Sequence, residues 1–475
     1  MAMGSMDMTR DVAALAPVLV LLLGAVLTLV VGIFLPRRLQ TANAAAAGVV
    51  LLAAAGLAVA RLADPPGLVF DATFVLDRPL LTTLLVLAGT GLLIAALSVP
   101  AFRGDAREAE YYSLLLFALL GAVLLAGSHD LMEILLGVLL ASVPAYALVA
   151  WRRTGAPAME ALLKYYLFGA LLNVGLIYGL VLLYGLSGET VLTQLAGAAA
   201  PGARPLAVVA LVLVVVGLGF KAGYVPGHFW IPDVYQGTTV PVAAFLSVVP
   251  KVAAVLVLSR LVVALAAERL DLSPLVAGVA AVTMTWGNLA AFPQNDIRRL
   301  LGYSTIAQTG YLLLAVAAAP VSPLALPALV FYFAAYAAAN VGAFAVVAAT
   351  RRFELSENRG LISARPLLAV SMLVALLSLT GIPPTAGFVG KLAVFAAAFD
   401  AGYSWLVVVA LVNSALSLYY YLRVLAPMFV PRPPADVGRA VEPWAAAVAV
   451  VCAVLTVGLG VAAFVLFPLP GAGPL

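Results

Sequence analysis

Long runs of apolar residues, separated by short polar segments, extend along the whole chain. A helix needs about 20 apolar residues to cross the hydrocarbon core of a membrane. With that window the pattern predicts an all-α polytopic membrane protein. The polar connections are too short to hold a soluble domain, so residues 1–475 are predicted to form a single integral membrane domain. The fourteen predicted spans lie at about 12–35, 43–63, 79–99, 111–127, 130–150, 161–186, 206–222, 240–266, 274–292, 298–319, 323–349, 366–399, 403–429 and 445–468.

Arginine positions predict the orientation of these spans. The odd-numbered connections between spans carry fourteen arginines, and the even-numbered connections carry four. Cytoplasmic loops of membrane proteins hold an excess of Lys and Arg. The odd-numbered loops are therefore predicted to be cytoplasmic, with both termini on the outer side.

Two predicted spans are interrupted by glycine and proline. Residues 222–228 of span seven read AGYVPGH, and residues 381–387 of span twelve read GIPPTAG. Proline disrupts a helix, and irregular backbone survives inside a membrane only where it lines a cavity or is covered by protein. Breaks five spans apart predict two inverted-repeat units of five helices, spans 4–8 at 111–266 and spans 9–13 at 274–429. An ordinary proline kink is the alternative for either break.

Composition supports the membrane assignment and narrows the chemistry. Hydrophobic residues make up 65% of the chain, charged residues make up 10%, and the mean hydropathy is +1.14. These values exclude a water-soluble globular protein. One cysteine, Cys452, and two histidines, His129 and His228, are too few for a disulfide framework, an iron–sulfur site or a zinc site. The scattered net charge of +4 does not indicate nucleic acid.

The lysines carry the strongest functional signal. The chain has four lysines and twenty-one arginines; nearly all the arginines sit in loops or at span ends, whereas every lysine falls inside a predicted span. A charge at mid-membrane costs about 2.5–3.5 kcal/mol on insertion scales, and a desolvated lysine can release its proton whereas arginine cannot. Buried lysines are therefore predicted to pass or store protons. They are Lys164, Lys221, Lys251 and Lys391. Because Lys164 lies near the end of span six, it can instead reach the cytoplasmic interface.

Two other ionisable residues are candidates for the same pathway. Glu133, near the start of span five, is placed to pair with a lysine, or alternatively to face the outer aqueous side. His228, at the break of span seven, is placed to relay protons, or alternatively to lie at the membrane interface. The sequence contains no phosphate-binding loop and no nucleophile–base set, so the chain is predicted to perform no bond chemistry.

Four segments resemble one known family, the antiporter-like membrane subunits of NADH-quinone oxidoreductase (respiratory complex I). They are FKAGYVPGHFWIPDVYQGTTVPVAAFLSVVPK ending at Lys251, EALLKYYLFGA around Lys164, NDIRRLLGYSTIAQTGY from Asn295 and GIPPTAGFVGK ending at Lys391. The Pro-Asp-Val-Tyr segment at 232–235 is similar to the N branch of that family. The resemblance covers nearly the whole chain.

The resemblance implies a proton-translocating role driven by quinone reduction elsewhere in the complex. By this likeness Lys221 and Lys251 belong to a first half-channel, Lys391 serves a second, and Lys164 lies along the same polar axis. The broken helices would act as gates.

The resemblance also implies the setting of the chain. It implies no cofactor here, with NADH, FMN, iron–sulfur clusters and quinone held by partner subunits. The implied partners are lipid and the other membrane subunits of a hetero-oligomeric complex, with the K and M subunits as neighbours. The implied location is the bacterial inner (plasma) membrane.

The chain departs from the family pattern at two positions. Leu139 stands where the family has a glutamate in span five, and Glu133 lies six residues earlier, about 9 Å along the helix. Gln308 stands where many members have histidine. Three alternatives stay open: an Mrp-type cation/proton antiporter subunit, an equivalent subunit of a membrane-bound hydrogenase-like complex, and a structural spacer that no longer pumps.

Overall fold

The structure, a computed structural model, describes residues 8–36, 39–151, 155–200, 202–268, 270–431 and 441–466. The helices are α1 Met8–Ala14, α2 Ala16–Phe34, α3 Ala42–Arg61, α4 Arg78–Phe102, α5 Glu108–Gly127, α6 Leu131–Val149, α7 Ala156–Ser187, α8 Arg204–Ala222, α9 Ile231–Gly237, α10 Val240–Ala267, α11 Ser273–Ala291, α12 Ile297–Ala318, α13 Ala325–Thr350, α14 Leu361–Ala364, α15 Pro366–Thr380, α16 Ala386–Asp400, α17 Ser404–Phe429 and α18 Pro443–Leu466. Short 3₁₀ helices lie at Leu192–Ala199 and Leu355–Asn358.

The predicted polytopic helical fold is confirmed. Within the described ranges, thirteen helices are long and apolar enough to cross a membrane. The remaining predicted span, the twelfth, consists of α15 and α16, which have 15 residues each. The end of predicted span fourteen, residues 467–468, lies outside the described residues.

One small element was not predicted. Strands β1 (Gly67–Val69) and β2 (Phe74–Leu76) form an antiparallel hairpin between α3 and α4. Its strands have three residues each, too short for an alternating pattern to stand out in the sequence.

Three helices form the centre of the bundle. Helices α10, α12 and α13 are almost wholly buried, whereas α3, α7 and α17 expose most of their surface. The centre matters because a polar side chain on α10 or α12 is removed from both lipid and bulk water. Such a group must find its hydrogen-bond partners within the protein.

The two predicted interruptions are complete breaks. Helix α8 ends at Ala222 before α9 begins, and α15 ends at Thr380 before α16 begins. The next residues, Gly223 and Gly381, have φ values of +79° and +93°, a left-handed backbone that residues with a side chain rarely adopt. The alternative of a simple proline kink is therefore wrong for both spans. The repeat boundaries at 111–266 and 274–429, and the outer position of both termini, stay predictions.

Candidate proton pathway

Lys251 lies in the middle of the most buried helix and is 1% exposed. Its Nζ donates hydrogen bonds to the carbonyl oxygens of Ala222 and Thr305, each at 2.9 Å, and to the hydroxyl of Thr309. All three hydrogens of an ammonium group are thus used on neutral acceptors. One acceptor, the Ala222 carbonyl, is the last of the broken helix α8. The partial negative charge at a helix C-terminus favours a cation there.

Lys391 repeats this arrangement at the second break. It lies on α16 and is 3% exposed. Its Nζ donates to the carbonyl oxygen of Thr380 at 2.9 Å and to Ser414 Oγ at 3.1 Å, and it stands 4.1 Å from the centroid of the Tyr311 ring. Because Thr380 is the last residue of α15, both lysines bind the final carbonyl of a broken half-helix. The aromatic face adds a cation–π attraction.

Lys221 is buried but isolated. It lies in the last turn of α8 and is 2% exposed, and its Nζ has no hydrogen-bond partner within the described chain. Its nearest aromatic rings, those of Tyr146 and Phe220, have centroids 5.8 and 5.9 Å away. In this conformation no acceptor among the described residues lies within hydrogen-bond distance of the Nζ.

Lys164 lies in a different environment from the other three lysines. Its partly exposed Nζ is 2.5 Å from Glu160 Oε1 and 2.5 Å from Asp233 Oδ2, and Asp233 also accepts from Arg299 at 2.6 Å. Helix α9, which carries Asp233, is thereby tied to α7 and α12. This ion-paired, partly exposed position favours the interfacial alternative for Lys164.

We expect Lys164→Met to change proton pumping by no more than about fivefold, because an exposed ion pair contributes up to about 1 kcal/mol. Asp233 keeps Arg299 as a partner, so α9 stays anchored to α12. Pumping per NADH in membrane vesicles, normalised to the amount of assembled complex, is the measurement. A complete loss of pumping with normal assembly would return Lys164 to the pathway.

The structure does not join Glu133 or His228 to a lysine through any hydrogen bond or ion pair of the described residues. Glu133 lies in the first turn of α6, and its Oε2 is buried without a partner. His228 lies between α8 and α9, with its ring centroid 6.2 Å from that of Trp286. Leu139, at the family's glutamate position, is 41% exposed on the outside of the chain.

Gln308 connects the two breaks through the centre of the bundle. Its Nε2 donates to the carbonyl oxygen of Leu379 at 2.8 Å and to the Tyr421 hydroxyl at 3.3 Å, and its Oε1 accepts from the Tyr332 hydroxyl. Gln308 is next to Thr309, which binds Lys251, and Leu379 is next to Thr380, which binds Lys391. The side chain therefore holds α12, α13, α15 and α17 together between the two lysines.

The acceptors of the buried lysines were not foreseen from the sequence. Thr305 and Thr309 are four residues apart on one face of α12, and this spacing is their signal. The signal is weak because a helical threonine commonly bonds its own helix, as Thr309 Oγ1 does to the Thr305 carbonyl at 3.0 Å. The carbonyls of Ala222 and Thr380 carry no sequence signal beyond the glycine that follows each.

This arrangement defines a class of protein. In this helical membrane bundle two helices are broken, and the final carbonyl of α8 and of α15 binds a buried lysine. These are the features of an ion-translocating membrane subunit. Within the described residues, no group of three or more His, Cys, Asp or Glu side chains is placed to hold a metal ion.

Comparison with known proteins identifies the family. The family model described as NADH:quinone oxidoreductase/Mrp antiporter, TM, matches residues 128–417. NADH-quinone oxidoreductase subunit N 1 of Streptomyces griseus subsp. griseus is 46% identical over 463 residues, which cover 96% of this chain and 97% of that protein. This chain therefore belongs to the NADH:quinone oxidoreductase/Mrp antiporter family, and the resemblance seen in its sequence is confirmed.

Two solved structures share the fold. A chain of respiratory complex I from Thermus thermophilus with bound aureothin superposes with a TM-score of 0.82 at 37% identity, covering 96% of this chain and 98% of that one. A chain of the Mrp complex from Dietzia sp. DQ12-45-1b gives 0.84 at 26% identity, covering 96% and 95%. The fold is thus common to both branches of the family, and sequence identity is higher for the complex I chain.

Proposed function

We propose that this chain is the proton-translocating N subunit of a bacterial NADH-quinone oxidoreductase. It moves protons through half-channels linked by buried lysines, and quinone reduction in other subunits drives the movement. The observation that carries the proposal is the shared geometry of Lys251 and Lys391, each bonded to the final carbonyl of a broken half-helix. A spacer without transport would gain nothing from the desolvation of these two amines.

The hydrogen bonds of Lys251 couple its protonation state to the break that follows α8. Protonated Lys251 uses three hydrogens on Ala222, Thr305 and Thr309. Once it has lost its proton, the neutral amine keeps two hydrogens, so one acceptor loses its donor. The Ala222 carbonyl has a second donor within reach, the Thr309 hydroxyl at 3.1 Å, so it can release the amine without being left unpaired. Proton release from Lys251 therefore loosens the break, and proton uptake holds it.

Lys221 and Lys251 flank the same break with unequal surroundings. Lys221 precedes Ala222, the residue whose carbonyl binds Lys251, and its own Nζ has no hydrogen-bond partner among the described residues in this conformation. The ammonium group of Lys251 has three acceptors, which favours proton transfer from Lys221 to Lys251. Transfer therefore runs from the end of α8 toward the centre of the bundle. Lys391 then provides the equivalent proton-binding site at the second break.

The remaining parts of the complex lie outside this chain. In this proposal the chain performs no bond chemistry and binds no cofactor, while partner subunits hold NADH, FMN, iron–sulfur clusters and quinone. The K and M subunits are its neighbours and lipid covers its apolar outer helices. The complex lies in the bacterial inner membrane, with both termini of this chain on the outer side.

An Mrp-type antiporter subunit is the second candidate, because a chain of an Mrp complex shares the fold at a TM-score of 0.84. The fold alone does not separate the two functions. Sequence identity favours the complex I function: it is 46% over 463 residues to a subunit N and 26% to the Mrp chain. We therefore place this chain with the redox-driven complex.

The experiment is mild detergent extraction of the tagged chain from its own membranes, followed by mass spectrometry of the co-purifying proteins. We expect dehydrogenase subunits that carry flavin and iron–sulfur clusters, and NADH-driven proton uptake by the parent vesicles. Small membrane subunits alone would contradict the proposal and support the antiporter.

A further inference from the structure

On α7, which packs against the helix of Lys221, a buried amide oxygen lacks a hydrogen-bond donor. Asn173 lies on α7 and is 6% exposed, and its Oδ1 has no partner among the residues the structure describes. Lys221 Nζ lacks an acceptor in the same way. Both unpaired groups flank Tyr146: Asn173 Nδ2 lies 3.3 Å from its hydroxyl, and Lys221 Nζ lies 5.8 Å from its ring centroid.

The packing of α7 against α8 sets the two residues within about one helical turn of each other. A Cβ placed on Gly217, one turn before Lys221, would lie 3.0 Å from the carbonyl oxygen of Leu172. A Cβ on Gly169 would lie 2.9 Å from Phe220 Cζ, next to Lys221. Asn173 follows Leu172 and lies one turn after Gly169. The helices thus meet closely around both Lys221 and Asn173.

The hydrogen-bond network fixes the orientation of the amide. Ser142 Oγ gives its hydrogen to the carbonyl oxygen of Val138 at 2.5 Å, so it can only accept from Asn173, whose Nδ2 lies 3.2 Å away. Turning the amide over would set Asn173 Oδ1 against an oxygen with no hydrogen to give. Oδ1 is therefore held as an acceptor, away from α6.

No carboxylate takes this place on α6. The span-five position where the family has glutamate is Leu139, and Glu133 forms no hydrogen bond or ion pair with Lys221. Ser142 and Tyr146, one and two turns beyond Leu139, instead anchor the amide of Asn173. The unpaired polar atom beside Tyr146 thus comes from α7 and carries no charge.

We propose that Asn173 is the neutral hydrogen-bond partner of protonated Lys221 and takes the place of the missing acid. The inference rests on the proposed function. When Lys221 gains a proton, its flexible side chain turns an N–H toward Asn173 Oδ1, directly or through one water. When the proton moves on, the amine keeps two hydrogens, and the amide has neither gained nor lost one. Asn173 is therefore a positioning residue.

The test compares Asn173→Leu and Asn173→Asp in the whole complex. Loss of a hydrogen bond to a charged group lowers an equilibrium constant by about tenfold, so we expect Asn173→Leu to lower NADH-driven pumping by about that factor. Asn173→Asp is expected to pump within about threefold of the parent and to move the alkaline limb of the pumping pH profile to higher pH, because a carboxylate favours the ammonium. Asn43→Leu removes a buried amide on α3 and should leave pumping unchanged.

Each outcome decides between the roles of Asn173. If Asn173 were purely structural, Asn173→Leu would lower the amount of assembled complex, measured as NADH oxidation with an artificial acceptor. Asn173→Asp would then leave the pH profile of pumping unchanged. Parent-like pumping by Asn173→Leu would overturn the inference. If the leucine variant does not assemble, an unshifted profile of the aspartate variant overturns it instead. Pumping that survives Lys251→Met would contradict the proposed function, whereas loss there with parent-like Asn173→Leu would reject only the role of Asn173.

Discussion

Replacing Lys251 with methionine is expected to lower NADH-driven proton pumping by about a hundredfold, the scale at which a positioned proton-transfer group contributes to rate. Methionine keeps the length and apolar stem of lysine, so the packing of the buried α10 is preserved. It removes an amine that binds both the end of α8, through Ala222, and α12, through Thr305 and Thr309. The measurement is proton uptake by vesicles, normalised to NADH oxidation with an artificial acceptor.

A second variant at Lys251 separates charge from proton transfer. Lys251→Arg keeps a positive charge and hydrogen-bond donors, but guanidinium does not release its proton in proteins. We expect it to assemble and to pump no better than Lys251→Met. Full pumping by Lys251→Arg would mean that the charge at this site is structural, and the lysine would lose its role as a carrier.

The membrane topology and the breaks could be predicted because each has a physical cause that is local in the sequence. Span length follows from bilayer thickness, and a Pro-rich segment followed or preceded by glycine cannot continue a helix. Gly223 and Gly381 mark the break points for this reason. The burial of Lys251 and Lys391 likewise followed from their positions inside predicted spans.

The partners of the lysines could not be predicted because they depend on contacts between distant segments. Lys251 binds the carbonyl of Thr305, 54 residues away, and Lys164 pairs with Asp233, 69 residues away. A backbone carbonyl leaves no signature in a sequence. Asn173 was overlooked for a related reason: a lone asparagine in an apolar helix has meaning only when Lys221, on a neighbouring helix, lies beside the same tyrosine.

Replacing Gln308 with leucine is expected to lower pumping by about tenfold or more and to speed hydrogen exchange of the backbone amides at 380–387. The change leaves the Tyr332 hydroxyl without its acceptor and the Leu379 carbonyl without this donor, and each unsatisfied buried group costs about 1–3 kcal/mol. Because Leu379 precedes Thr380, the acceptor of Lys391 loses its anchor to α12. Gln308→His restores one donor and one acceptor, so we expect pumping within about threefold of the parent.

The control for Gln308 is Gln294→Leu. Gln294 lies before α12, where it donates to the Ala290 carbonyl and accepts from the Arg299 side chain, and neither bond involves α15 or Lys391. Its loss should leave pumping and exchange at 380–387 unchanged. If Gln308→Leu pumped normally while exchange rose, the second break would be free to move without cost, and the link between α12 and Lys391 would have no part in transport. If exchange stayed slow and pumping fell, Gln308 would act on the proton path itself, through the Tyr332 and Tyr421 hydroxyls that it joins.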